Sequence, residues 1–405
     1  MKKLMADKVL MITVLALVIF GVVMITSIGV PKSIELSAPK LLYPNCGDPQ
    51  VDCYLLFKRH LMRLGIGLVA LLLAAKIPYK FWKKTSVFWF GIFTLLLFVV
   101  LFIGSQYSTF AKSWLVLFNT SVQPIEFAKL ALIFYLAHWM ERKNQEIGTF
   151  QYGFLPFCIV SGVILLPVLL QPDLGGSLVI MGTAVAMYFV AGAKVKHLAL
   201  GALIVMMMGV MVLTSVSHVN KRVVAFLNQE ENCREDYCWQ TEQANIAVGS
   251  GGFWGKGLTQ GVQKSYWLPQ AADDFIFAAS AEELGFIRII FVIFAYAVIA
   301  WRGLRIAHQA PDKFSMLTAV GITAWITIQA FINVAVNIGL MPVTGIALPF
   351  ISYGGSSLIS TLIGVGILLH ISKYAQENTS GVSRRWNRGT YHAKYSSYGR
   401  AAGTI

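Results

Sequence analysis

The 405-residue chain is 56% hydrophobic and only 13% charged, with a net charge of +14 and a mean hydropathy of +0.65. That leaves too little polar surface for a water-soluble fold of this length, and apolar stretches near bilayer length recur along the whole chain, which excludes a soluble domain on a single anchor. The positive charge would suggest nucleic acid in a soluble protein; here cytoplasmic loops and a tail account for it, and no nucleic-acid partner is expected.

Lys2, Lys3 and Lys8 precede an apolar run over 9–29 that lacks a small-residue cleavage site, so it reads as a retained first span rather than a signal peptide. Further spans are expected near 60–77, 87–104, 124–140, 153–170, 175–192, 198–216, 284–301, 315–337 and 354–372. The fold class is therefore all-α, a polytopic transmembrane helical bundle of about ten spans. It occupies residues 1–372, and the basic tail 373–405, rich in Ser, Gly and Tyr, reads as a disordered cytoplasmic segment. The tail's cations would either touch anionic headgroups, at about 1 kcal/mol each, or simply solubilise it.

Two polar stretches, 30–59 and 217–275, interrupt the spans. Lys80, Lys83 and Lys84, then Arg142 and Lys143, Lys194 and Lys196, and Arg302 and Arg305 fall on alternate, short connections, the same side as the tail. The positive-inside rule places them in the cytoplasm together with both termini. The 217–275 segment, between spans 7 and 8, is then the large extracytoplasmic loop. Cys46 and Cys53 share the first outer loop, Cys233 and Cys238 share the large one, and Cys158 lies inside a span. An oxidising compartment suggests two local disulfides, with the pairing open, while zinc binding and free thiols are the competing readings.

Ionisable residues within spans are costly and line cavities or pair with one another. Glu126 and Lys129, three apart, share a helical face and read either as an internal ion pair or as the lining of a polar groove. Asp173, in Gln171-Pro172-Asp173-Leu174-Gly175-Gly176, is placed to cap the next helix. The 217–283 segment carries Arg222, Gln240, Gln243, the run Gly249–Gly257 with Lys256, the pair Asp273-Asp274, and Glu282-Glu283. Its glycines either cradle phosphates or form a flexible re-entrant loop; no P-loop ending is present. Asp274 opens an apolar run, where desolvation would suit a general base, with helix capping as the plain alternative. The last loop, Asn337–Ser357, is rich in Pro and Gly and reads as a cavity-lining turn carrying Ser352 and Ser356.

Taken in order, Gln123-Pro124-Ile125-Glu126 with Lys129, Gln171–Gly175, Gly249–Gly257, Asp274-Phe275-Ile276-Phe277-Ala278 with Glu282-Glu283-Leu284-Gly285, and Leu348–Ser357 resemble the SEDS family of cell-wall synthases, the FtsW and RodA type. The match runs from the first span through the tenth, and the Thr344-Gly345 and Ser356-Ser357 wording looks more like the division type. The resemblance implies a peptidoglycan glycosyltransferase that polymerises lipid II at the outer membrane face with a class B penicillin-binding transpeptidase, among other divisome or elongasome membrane proteins. By the same resemblance Asp274 falls on the family's outer-loop aspartate, a general base or a carboxylate that positions a divalent cation (Mg or Mn). Lys129, Arg222 and Lys256 become candidate pyrophosphate contacts, and Glu126, Asp173, Gln240, Glu283, Ser352 and Ser356 complete the candidate substrate site.

Several residues depart from the family pattern: Gln270, Ala272 and Asp273 just before Asp274, Ser113, Ile125 and Arg288. A flippase for the same precursor and a non-catalytic scaffold for the transpeptidase stay open beside the enzyme. The absence of a clear internal repeat and the crowding of polar residues on the outer side favour the enzyme over alternating access.

Overall fold

The structure, a computed structural model, describes residues 6–39, 44–104, 113–117, 120–215, 223–224, 226 and 236–374. Long helices stand on the apolar stretches: α1 (Lys8–Ile28), then, after the short α2 (Val30–Ser37), α3 (Leu55–Ala74) and α4 (Tyr79–Ile103). They continue as α5 (Pro124–Lys143), α6 (Leu155–Leu170), α7 (Leu174–Val190) and α8 (Val195–Ser215). After α9 (Asp236–Gly251) and α10 (Ile276–Leu284) come α11 (Phe286–His308), α12 (Lys313–Asn337) and α13 (Gly355–Tyr374). Six of these segments are long and apolar enough to cross a membrane: α1, α4, Phe150–Leu170 containing α6, α11, α12 and α13. The expected all-α, multi-span architecture is what the structure shows.

The differences lie in the connections. The stretch read as the first outer loop contains α2, started by a proline in its first turn, where the missing N–H costs nothing. A two-stranded hairpin, β1 (Leu115–Leu117) and β2 (Thr120–Val122), precedes α5. The segment read as the large loop holds α9, and α10 follows it. The eighth span begins at Phe286 rather than 284, because Gly285, at φ 77°, turns the chain between α10 and α11.

α12 lies at the centre, packed against α5, α7 and α11. Small residues permit the approach: a Cβ on Gly303 of α11 would stand 2.1 Å from Thr323 Oγ1 of α12, and one on Gly321 would stand 2.6 Å from Met187 Sδ of α7. Trp325, Tyr188 and Tyr296 are fully buried around it. The outer surface of the bundle presents Ile12, Leu95 and Phe291 among many exposed apolar side chains, which suits contact with lipid.

At one end of the bundle α1, α11 and α13 are tied together. Asp7 caps α1 by accepting from the Leu10 N–H, donates its own N–H to Ser372 Oγ of α13 at 3.0 Å, and accepts from Arg302 Nε of α11 at 2.9 Å. The polar residues singled out in the loops gather at the opposite end. The tail beyond Tyr374 lies outside the described residues.

Candidate active site

Asp274 sits on the turn that leads into α10, half-buried, with its Oδ2 3.7 Å from where a Cβ on Gly345 would stand. The turn is held from three sides. Asn333 and Asn337 of α12 donate side-chain N–H groups to the Asp274 carbonyl at 2.8 and 3.0 Å. Asn333 also donates to Ile346 O at 2.7 Å, and Asn337 Oδ1 accepts from the Ala278 N–H at 2.9 Å. The last loop closes over the other edge: Ser352 Oγ donates to Asp273 O at 2.5 Å and the Tyr353 N–H to Ala272 O at 3.0 Å. Gln270 and Phe350, at φ 55° and 69°, are non-glycine residues in the left-handed region, which costs roughly 1–3 kcal/mol each and persists only where surrounding contacts enforce it.

Asn333 and Asn337 escaped the sequence reading because neutral amides inside an apolar span do not stand out beside carboxylates. A signal was present: Gln329, Asn333 and Asn337 recur every four residues, which places three amides on one face of α12. Gln329 serves the layer beneath. Its Oε1 accepts from Lys129 Nζ at 2.8 Å and from Trp325 Nε1 at 2.8 Å, while its Nε2 donates to Ala347 O at 3.0 Å. Lys129 pairs with Glu126 at 2.8 Å, both buried, and its ammonium lies 5.4 Å from the Trp325 ring centre. The Glu126–Lys129 pair thus supports the loop over Asp274 through Gln329. Ser356, at the start of α13, accepts from the Gln123 N–H at 3.0 Å and ties the entry of α5 to the same loop.

Glu282 and Glu283 form a separate network, and both are 0% exposed. Glu282 accepts from Lys256 Nζ at 2.6 Å and from the Val262 and Gln263 N–H groups at 3.1 and 3.0 Å. Glu283 accepts from Lys264 Nζ at 2.7 Å, Ser27 Oγ at 2.8 Å and the Thr259 N–H at 3.1 Å. The glycine run lies against this helix: a Cβ on Gly251 would stand 2.2 Å from Ala281 O, and one on Gly255, at φ 81°, 2.3 Å from Glu283 O. These glycines allow backbone to pack on backbone. Lys256 and Gly257 donate their N–H groups to the carbonyls of Glu282 and Glu283, not outward as a phosphate cradle would.

Other singled-out residues have plain positions. Asp173 caps α7, accepting from the Gly176 N–H at 2.7 Å. Gln240 lies half-buried on α9. Ile125 packs against the space that Gly176 leaves, since a Cβ there would stand 2.3 Å from Ile125 Cδ1. Arg288 donates to Trp254 O at 2.9 Å, closing the end of the glycine run, and Ser113 is buried. Cys46 and Cys53 are joined by a disulfide with Cα atoms 5.8 Å apart. Cys238 is disulfide-bonded, and Cys158 is a free thiol. Arg222 and Cys233 lie outside the described residues. Among the described residues no group of three or more His, Cys, Asp or Glu side chains could hold a metal ion. The donor set at Asp274 suits the way Mg2+ is commonly held, by one or two carboxylates with substrate phosphates and water supplying the rest.

Bundle and site together define a multi-pass helical membrane protein whose polar loops, backed by buried amides and ion pairs, hold one carboxylate at the end of the bundle. The chain belongs to the FtsW/RodA/SpoVE family, described as cell cycle proteins, whose profile matches residues 7–377. It is 40% identical over 326 residues to Stage V sporulation protein E of Bacillus subtilis (strain 168), covering 80% of this chain and 89% of that one. It is 37% identical over 368 residues to the probable peptidoglycan glycosyltransferase FtsW of Trichlorobacter lovleyi, covering 90% and 93%. Among solved structures it matches a chain of a peptidoglycan synthase complex that coordinates polymerization and crosslinking, with TM-score 0.72, 27% identity and coverage of 92% and 98%. It also matches the rod shape determining protein RodA of Thermus thermophilus, with TM-score 0.64, 26% identity and coverage of 91% and 97%.

Proposed function

We propose that the chain is a peptidoglycan glycosyltransferase that polymerises lipid II at the outer face of the bacterial cytoplasmic membrane during cell division. In this reading it works beside a class B penicillin-binding transpeptidase, and both termini are cytoplasmic. The family and the names its relatives carry support the activity, and the synthase complex that the fold matches supports a transpeptidase partner. The orientation rests on the basic short connections. The observation that carries the reading is Asp274: a half-buried carboxylate whose own backbone carbonyl is fixed by two buried amides.

The acceptor sugar's 4-hydroxyl oxygen attacks the donor's anomeric carbon. The bond from that carbon to the lipid pyrophosphate breaks, its electron pair leaves with the pyrophosphate, and the hydroxyl proton passes to the Asp274 carboxylate. Fixing the turn that carries that carboxylate is worth the most where it meets the proton in the transition state. We assign the leaving pyrophosphate to Lys256, 32% exposed while paired with Glu282, and to Arg222. As the alternative to that base role, Asp274 would hold a divalent cation, which would neutralise charge developing on the pyrophosphate. Glu126, Lys129, Ser352 and Ser356 support the loop over Asp274; Gln240 is assigned to sugar contact. Asp173 sets the start of α7, and Glu283 sets the wall.

The test is purified protein with its cognate transpeptidase, given labelled lipid II in liposomes. Polymer is expected from the native chain and from D273N, and none from D274A. Precursor crossing the bilayer without polymer would overturn the assignment, as would polymer from D274A.

A further inference from the structure

The last loop ends where α13 begins, and an arginine from α3 lies on that junction. The Arg63 guanidinium carbon sits 4.8 Å from the centre of the Tyr353 ring. A Cβ on Gly355, the first residue of α13, would stand 2.7 Å from Arg63 Cδ and 2.8 Å from its Nε. Glycine at 355 thus leaves the space in which the guanidinium lies across the first turn of the helix. We propose that Arg63, Tyr353 and the N-terminus of α13 form a binding site for the phosphate group of a membrane lipid. The site does not rest on the reading of Asp274.

Two positive features meet there. The first turn of a helix carries roughly half a positive charge, and α13 runs for 20 residues. The Leu358 N–H donates to Gly354 O, whereas those of Gly355, Ser356 and Ser357 have no acceptor among the described residues. The two serine hydroxyls are engaged elsewhere: Ser356 Oγ accepts from the Gln123 N–H, and Ser357 Oγ from Gln329 Nε2 at 3.3 Å. Arg63 likewise makes no ion pair and no hydrogen bond among the described residues, and the face of Tyr353 is what holds it. A guanidinium set against a helix N-terminus is repulsive on its own. An anion that accepts from both turns that repulsion into binding. His60, one turn before Arg63 on α3, adds a further polar group: it is buried, its Nε2 has no partner, and its ring lies 6.3 Å from that of Tyr353.

The surroundings set the class of anion. Arg63 is half-buried, about two turns inside α3, and Leu61, Met62 and Ile66 around it are exposed apolar side chains of the kind that face lipid. An arginine on such a helix ordinarily extends toward the headgroups and keeps its charge in water. This one turns onto Tyr353 and Gly355 instead. An anion that reaches it from the bilayer brings its own apolar tail, which identifies a phosphate or pyrophosphate borne by a lipid. The planar guanidinium offers two parallel donors to phosphate oxygens, and the free N–H groups of the helix offer more. The Tyr353 N–H donates to Ala272 O, so the residue stacked on Arg63 also ties the site to the turn that precedes Asp274.

The experiment titrates the purified full chain in detergent with farnesyl pyrophosphate and with phosphatidylglycerol, and reads bound lipid by native mass spectrometry. Farnesol and diacylglycerol serve as controls that share the tails but lack the phosphate. The phosphate lipids are expected to bind and the controls to fail, and a preference between the two binders names the source, a pyrophosphate-linked lipid or a bulk phospholipid. R63Q should weaken binding about 10- to 100-fold, the worth of the charge-assisted bonds it removes, and R63K should recover part of that loss. G355A, whose Cβ displaces the guanidinium from the first turn, should weaken binding as well. K58Q removes an exposed lysine paired with Asp52 and should bind as the native chain does. Melting temperature is followed for each variant, and if R63Q does not fold, G355A decides the site. Native binding in R63Q and G355A overturns the proposal, since Arg63 then only packs on Tyr353. Inorganic pyrophosphate that displaces the lipids at equal affinity overturns the lipid assignment, and equal binding of the controls overturns the phosphate. A chain that makes no polymer leaves all of these readouts in place, so the glycosyltransferase reading and the lipid site fail separately.

Discussion

Asp273-Asp274 and Glu282-Glu283 are two acidic pairs separated by one short stretch of chain, and the fold uses them in opposite ways. The glutamates are 0% exposed, and together they accept from two lysines, a serine and three backbone N–H groups. Saturated in this way, they hold the Lys256–Lys264 loop and α1 against α10. In the aspartate pair the structure fixes the backbone instead: Asn333, Asn337 and Ser352 take the carbonyls, and Lys32 takes one carboxylate. The comparison teaches that position relative to the bundle, not acidity in the sequence, separates a fully saturated carboxylate from one left on a half-buried turn.

The sharpest way to break the comparison is to exchange what each pair loses. D274N should reduce polymer formation by about 10²–10⁴-fold with little change in the melting temperature in detergent. E283A should do the reverse. It strands the Lys264 ammonium in a buried site, at a cost of about 3–5 kcal/mol, read as loss of folded protein and a lowered melting temperature. Equal loss of activity from both variants, at unchanged stability, would erase the distinction.

Smaller changes sharpen it. C46S/C53S opens the loop that presents α2, and the lost cross-link should cost about 2–3 kcal/mol, measured by thermal melting. N333A leaves the Ile346 carbonyl without its amide donor and removes one of two from the Asp274 carbonyl. A cost of about 1–3 kcal/mol is expected, together with a fall in polymerisation rate that outlasts correction for folded protein. The smallest effect belongs to D52N, whose partner Lys58 is 64% exposed. Exposed pairs of this kind add little to stability, so the melting temperature should hold within about a degree.

Much of the fold was legible because apolar runs of bilayer length report their own burial in lipid, whatever their neighbours do. α2 and α10 were not legible as helices. Both are short, and what holds them is tertiary: Ser33 and Ser37 answering Leu56 and Asp52, Glu282 and Glu283 answering Lys256 and Lys264. The site was legible in part. Asp274 emerged through the family resemblance, whereas Lys32, Asn333 and Asn337 stood in stretches where a lysine in a loop or an amide in a span carries no signal of its own. The glycines read either as a phosphate cradle or as a flexible re-entrant loop because sequence shows composition; the backbone approach of Gly251 and Gly255 to α10 shows why glycine is needed there.

By itself the sequence determined a chain that lives in the bilayer as helices, since backbone in lipid must satisfy its hydrogen bonds internally and apolar runs of about twenty residues do so within one helix. It also determined that the polar residues gather in the loops. Only the tertiary structure decided which carboxylates are saturated by buried partners and which stand on a half-buried turn. That choice depends on partners such as Ser27 for Glu283 and Lys32 for Asp273, more than 230 residues away, and on a burial that no local pattern encodes.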